Sequence, residues 1–278
     1  MNFDPSLWNR DFIHTSPIFN PIKPAYNASA CNIAKWPTLD DCNASFSNET
    51  NKLFNNNQKQ IRFVEQSLDK KPPFTMQYEP RVYLTGEVQT RLNNWHDFLQ
   101  VLVWKTWPKT KSLINELHYQ SSSKRTENKR SNVENFLTLF DECGIVIISS
   151  NATLLDYIIN FQWKSLFVGN RERFNREIRC ITCGHAMYEK ALNPYIGMTA
   201  QALLIQVTED FFSTEASSQK IDEMIVDNIT SKDSLFPKLL HPFPLLGVPG
   251  WHKKQDECFY NNSDYFRPGR MKNSTTMH

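Results

Sequence analysis

The run NWHDFLQVLVWKTWPK, Asn94 to Lys109, sets Trp95, Phe98, Leu99, Val101, Leu102, Val103, Trp104 and Trp107 around every side of a would-be helix. A helix that is apolar all round has no face to offer water, so it belongs at the centre of a packed body or inside a bilayer. The bilayer reading fails on length. The most membrane-like piece, FLQVLVW, is interrupted by Gln100 and followed by Lys105, whereas a span needs ~20 apolar residues. The rest of the chain must therefore supply layers that cover this helix, and each large side chain buried in it is worth roughly 1.5–3 kcal/mol. Asn94 stands as N-cap with Asp97 spaced as its return partner. Pro108 ends the run, and TKSLINELHYQ begins a second helix beyond the kink.

The covering layers read as a mixture. IRFVEQ, YEPRVYLTGEVQT up to a turn at Gly86, IRCITCG and ALLIQV have strand composition. LTLF and IVIIS read as two strands joined through Asp141-Glu142-Cys143-Gly144, with glycine at the turn position that tolerates a left-handed backbone. NATLLDYIINF, QWKSLFVGNRERFNRE, HAMYEKALN and SSQKIDEMIVDNI read as helices. There is no strict βαβ alternation and no internal repeat, so the expected class is α+β: a central, mostly antiparallel sheet packed by the Trp-rich helix. Hydrophobic residues at 40% and aromatics at 13% of 278 residues are ample for such a core and exclude global disorder. Pro17, Pro21 and Pro24 bar a long helix near the start. The expected organisation is an extended, aromatic-rich N-terminal arm over 1–75, an α+β core over 76–250, and a C-terminal strap and tail over 251–278 whose last residues are disordered.

Several function classes drop out. A net charge of +2 argues against a nucleic-acid partner. The opening MNFDPSLWNRDF has no charged n-region followed by an apolar stretch, so the expected location is the cytoplasm, and the 6 Cys are expected to be thiols. The 8 Gly include no G-x-x-x-x-G-K-[ST], no G-x-G-x-x-G and no G-x-S-x-G, so neither a nucleotide cradle nor a nucleophile elbow is present. Cys180 and Cys183, three apart in a strand, point to opposite faces and read as buried thiols rather than metal ligands. SSSKRTENKRSN reads as a solvated basic loop; a phosphate patch there would need something to group its charges.

What remains is a set of polar residues planted where apolar elements start or turn. His96 and Asp97 open the buried helix, with Gln100 one turn on; polar groups that deep are costly unless paired. Asp141 and Glu142 are adjacent carboxylates that repel unless a cation, Arg91, His96, His185 or a divalent metal, relieves them. His185 follows Gly184 and opens a helix, with Glu189 four residues on and on the same face. His118, closing its helix, reads as a partner for the C-terminal end of the dipole.

These stretches resemble a bacterial family of uncharacterised proteins, domain of unknown function 3025. The resemblance rests on GEVQTRLNNWHDFLQVLVWKTWPKTK, LTLFDECG, GHAMYEKALNP with GMTAQALL, LLGVPGW and FYNNSDYFRPGR, in order from Tyr78 to Arg270, and on WNRDFIHTSPIF near the start. It implies no activity. It does imply that Trp-His-Asp, Asp-Glu-x-Gly and Gly-His with a following Glu recur, which here are His96, Asp97, Asp141, Glu142, His185 and Glu189, and that apolar residues often replace Cys180 and Cys183.

Two functions fit. In the first, those six residues converge as the pocket of a hydrolase-like enzyme. The carboxylates act as bases or metal ligands and the histidines as acids, bases or ligands; Asp141, Glu142, His185 and Glu189 are the set that could hold a divalent metal. In the second, the same residues are caps and buried pairs of a non-catalytic binding or scaffold protein. Substrate, cofactor and partner are not readable from the residues.

Overall fold

The computed structural model describes residues 4–269 except 5, 30–33, 45–51, 68, 70, 127–128 and 215. The expected disorder of the last residues concerns 270–278 and lies outside the described residues.

In chain order the arm folds into 3-10 turns at Arg10–His14 and Pro17–Ile22, then α1 (Lys23–Asn27) and α2 (Leu39–Ala44). The short pieces follow from the prolines, and they drive Phe12, Ile18, Phe19, Ile22 and Tyr26 to 0–1% exposure. β1 (Arg62–Glu65), α3 (Tyr78–Thr85) and β2 (Glu87–Thr90) come next, with β1 and β2 paired in parallel. α4 (Trp95–Thr106) is the Trp-rich helix, buried through Val101, Leu102 and Trp104 as its all-round apolar surface requires. Trp8 of the arm stacks on Trp95 with ring centroids 5.0 Å apart. α5 (Pro108–Ser123) starts directly after the kink, its Pro at the first helical position where no N–H is missed. Two of its free N–H groups, on Lys109 and Thr110, are capped by the buried Asp222 carboxylate at 2.8 and 2.9 Å.

α6 (Asn132–Cys143) leads into β3 (Gly144–Ser149); α7 (Ala152–Ile159), a π-helical turn (Ser165–Gly169) and α8 (Arg171–Glu177) lead to β4 (Ile178–Thr182). α9 (His185–Ala191), β5 (Thr199–Gln206), α10 (Ser218–Thr230), β6 (His241–Pro244) and α11 (Glu257–Tyr260) complete the order. The class is α+β. The main sheet runs β4-β3-β5-β6 and is mixed: β3 is antiparallel to β4 and parallel to β5, and β6 is antiparallel to β5. Every residue of β3 is buried, which explains why GIVIIS is a continuous apolar run rather than an alternating one.

Two strand expectations are overturned. YEPRVYLT is α3, ended by Gly86 at φ +77 in the left-handed cap position. LTLF is not the first strand of a hairpin. It is the second half of α6, which opens with a capping box: Ser131 Oγ accepts from Glu134 N at 3.1 Å, and Ser131 N donates to the Glu134 carboxylate at 2.8 Å. Asp141 and Glu142 therefore ride on the last turn of a helix. Among the described residues no helix is long and apolar enough to cross a membrane.

Candidate metal centre

The site is built where two chain turns touch. α6 passes into β3 at Gly144, and β4 passes into α9 at Gly184. The amides of Cys183 and Gly184 both donate to the Gly144 carbonyl, at 3.0 and 2.9 Å. A Cβ on Gly184 would lie 2.5 Å from the Glu142 carbonyl oxygen and 2.5 Å from Gly144 N; only glycine allows the two backbones this close. The contact sets the last turn of α6, with Asp141 and Glu142, against the first residue of α9, His185. α4 packs across α9 and brings in His96 from its own first turn.

The two imidazoles face each other. His96 Nε2 and His185 Nε2 are 3.0 Å apart, one ring donating and the other accepting. Glu142 Oε2 lies 3.6 Å from His185 Nε2. Behind the rings stand two more carboxylates. His96 Nδ1 donates to Glu189 Oε2 at 2.8 Å, and His185 Nδ1 points toward Asp141 Oδ2 at 3.7 Å. Lys111 Nζ, only 4% exposed, donates to the other Asp141 oxygen at 2.6 Å. The order from one side to the other is Glu189, His96, His185, Asp141, Lys111.

Each element places its charge against the helix dipole. Carboxylates are disfavoured at a helix C-terminus and imidazolium at an N-terminus, yet Asp141 and Glu142 end α6 while His96 and His185 open α4 and α9. Local partners resolve the conflict. Burial raises the Asp141 carboxyl, but the Lys111 ammonium outweighs it and holds it ionised, below its ordinary value. Burial pushes His185 down to about 4, so its ring is neutral and has a lone pair to give. The hydrogen bond that His96 donates to Glu189 raises His96, and that same bond lowers Glu189. Burial raises Glu142.

His96, Glu142 and His185 each offer one ligand atom, and these atoms lie within 4.8 Å of one another. Ligand atoms on a tetrahedral zinc ion are about 3.3 Å apart, given bonds of about 2.0–2.1 Å; two of the three edges, at 3.0 and 3.6 Å, bracket that spacing, and the third lies within 4.8 Å. A carboxylate behind the remote nitrogen of each imidazole is the arrangement that fixes ring orientation and tautomer in metal-binding histidines. The donor set fits a divalent cation.

The structure brings His96, Asp141, Glu142, His185 and Glu189 together and sets Asp97 aside. Asp97 takes three hydrogen bonds from Arg91, at 2.7, 3.0 and 2.8 Å. Asn94 accepts from Asp97 N at 3.1 Å, but the Asp97 carboxylate does not reach back to cap. Glu189 meets His96 across two helices rather than His185 on its own helix. His118 is not a charged helix end either: it is buried in the middle of α5, where burial lowers it to about 4 and keeps it neutral. Lys111, the cation that answers Asp141, was not among the candidates, because nothing around it in KTKSLINELH separates a buried lysine from a solvated one. Cys180 and Cys183 are thiols; Cys183 is buried and donates to the Ile181 carbonyl at 3.5 Å.

The site opens into a cleft of about 700 Å³ whose walls include His96, Asp97, His118, Asp141, Glu142 and His185. Glu79 also lines it, its carboxyl raised to about 7 by burial despite Lys111 and the hydrogen bond that Asn115 Nδ2 donates at 2.7 Å.

The sequence pattern of one protein family matches residues 61–270, a stretch that contains all six candidate residues and excludes most of the N-terminal arm. The chain belongs to that family, described as protein of unknown function (DUF3025). No curated protein and no solved structure matches this DUF3025 chain.

Proposed function

We propose that the protein is a metal-assisted hydrolase whose ion is held by His96 Nε2, His185 Nε2 and the Glu142 carboxylate. The observation that carries the reading is the pair of imidazoles opposed at 3.0 Å, each with a carboxylate behind it and with Glu142 completing the triangle. Two histidines and a glutamate leave one tetrahedral position for water or substrate, the pattern of catalytic rather than structural zinc. The ion would polarise a bound carbonyl or phosphoryl oxygen and lower the pKa of its water. The chain's own residues do the rest. Glu189 holds the His96 tautomer with Nε2 free for the ion. Lys111 keeps Asp141 ionised, so that a negative charge stands 3.7 Å behind His185 Nδ1 and favours the tautomer that carries its proton there.

Zinc and cobalt titrations of purified, chelator-treated protein test this. One equivalent should bind, and His96→Ala and His185→Ala should each abolish binding at a site where Asp97→Asn binds normally. If His185→Ala lowers stability while bound metal is unchanged, these residues maintain the fold and the reading fails.

A further inference from the structure

The cleft is larger than an ion and its water require, and beyond the metal centre its walls carry four arginines from three parts of the chain: Arg81 on α3, Arg91 after β2, and Arg125 and Arg130 in the connection between α5 and α6. Three are braced from behind. Arg81 gives Nε and Nη2 to Glu87 at 2.9 and 2.8 Å. Arg91 gives Nε and Nη2 to Asp97 at 3.0 and 2.8 Å. Arg125 gives Nη1 to Glu134 at 3.4 Å. In each case one side of the guanidinium is spent on a carboxylate that fixes its direction, and the other side keeps N–H donors. Arg130 differs: among the described residues no carboxylate lies within ion-pair distance, and its one hydrogen bond goes to Thr138 Oγ1 at 3.5 Å. It brings to the cleft a positive charge that no direct ion pair takes up, felt at longer range by Glu79.

Braced guanidinium groups lose little freedom when they bind a further acceptor, and a fork of parallel N–H donors matches an oxyanion better than any neutral group. We infer that this wall is an oxyanion subsite and that the substrate carries a phosphate group, gripped by Arg125 and Arg130 with Arg81 and Arg91 beside them, while its scissile bond meets the metal centre. Phosphate is favoured over carboxylate because several separate donor groups need several acceptor oxygens, and phosphate brings three of them with nearly two charges. The basic stretch that reads as a solvated loop thus sets two of its charges, Arg125 and Arg130, into the same cleft as Arg81 and Arg91. The subsite deepens the hydrolase reading but does not need the ion to bind its anion.

That independence sets the test. Full-length protein freed of metal by chelation is titrated calorimetrically with inorganic phosphate and, separately, with acetate. Phosphate should bind with Kd below about 1 mM, tighter than acetate, and weaken as salt rises. Arg130→Gln, at an exposed position, should keep the wild-type melting temperature; Arg125→Gln, which loses the pair with the buried Glu134, should stay folded with a lowered one; each should weaken phosphate roughly tenfold or more. Equal affinity in the double variant overturns the inference, as does acetate binding as tightly as phosphate. Phosphate binding seen only after zinc is added also overturns it, since the anion would then sit on the ion; that result leaves the metal reading intact.

Discussion

Gly184→Ala isolates the contact on which the centre depends. Gly184 has φ −71 and ψ 127, a backbone open to any residue, so the methyl group meets no conformational penalty and the whole effect is steric. Its Cβ would sit 2.5 Å from the Glu142 carbonyl oxygen and from Gly144 N, where ordinary contact begins at 3.4 Å. The two chain turns must therefore part by about 0.9 Å. That stretches the Cys183 and Gly184 amide bonds to the Gly144 carbonyl, now 3.0 and 2.9 Å, beyond hydrogen-bond length. Two such bonds are worth roughly 0.5–1.5 kcal/mol each, and overpacking costs about 1–3 kcal/mol, so a loss of about 2–6 kcal/mol is expected in urea unfolding. The same movement carries His185 Nε2 away from Glu142 Oε2, now 3.6 Å off, and past the spacing one ion can bridge. Zinc affinity, read by competition with a chromophoric chelator, should fall at least tenfold. Gly169→Ala is the control: its Cβ would meet one atom at 3.8 Å, so it should be neutral or stabilising by about 0.4–1 kcal/mol. If Gly184→Ala unfolds within about 0.5 kcal/mol of wild type and binds zinc normally, the close approach is not what assembles the site.

Glu189→Gln removes the acceptor that holds His96 and should weaken zinc roughly 10–100-fold with little change in melting temperature, since that side chain is 44% exposed; unchanged affinity would remove Glu189 from the centre. Lys111→Met strands the buried Asp141 carboxylate and should cost about 3–5 kcal/mol. Lys109→Met, which loses the exposed, solvent-screened pair with Glu223, should leave stability almost unchanged; similar losses for the two variants in urea unfolding would contradict the burial argument. Glu79 has a folded pKa of about 7 against an ordinary 4.5, so the native state binds its proton more tightly than the unfolded chain does. Its contribution is fully present below pH 4.5 and is lost as pH rises through 7, a swing of about 3 kcal/mol. Glu79→Gln should therefore gain stability relative to wild type between pH 4.5 and 8; a difference flat across that window would refute the buried-carboxyl reading.

The pattern of residues alone determined α4, because a helix lacking any polar face must be interior and needs only short-range periodicity to be seen. It also marked the polar residues at element starts as anomalous. The helical signal for LTLF lies in its own neighbourhood. Ser131-x-x-Glu134 is a capping box, and Phe136, Leu137 and Phe140 recur at helical spacing, but the β-rich composition of the following IVIIS pulled the whole stretch into a hairpin. Tertiary structure alone decided how the polar residues pair. Glu189 lies 93 residues from its partner His96, and Lys111 lies 30 from Asp141. No periodicity reaches over such distances; these pairs exist because α4 and α5 pack against α9 and α6 after the chain has collapsed. The arginine wall has the same origin. Its members are scattered over Arg81 to Arg130, and only the packing of α3, α5 and α6 sets them along one cleft, a grouping that no local pattern along the chain displays.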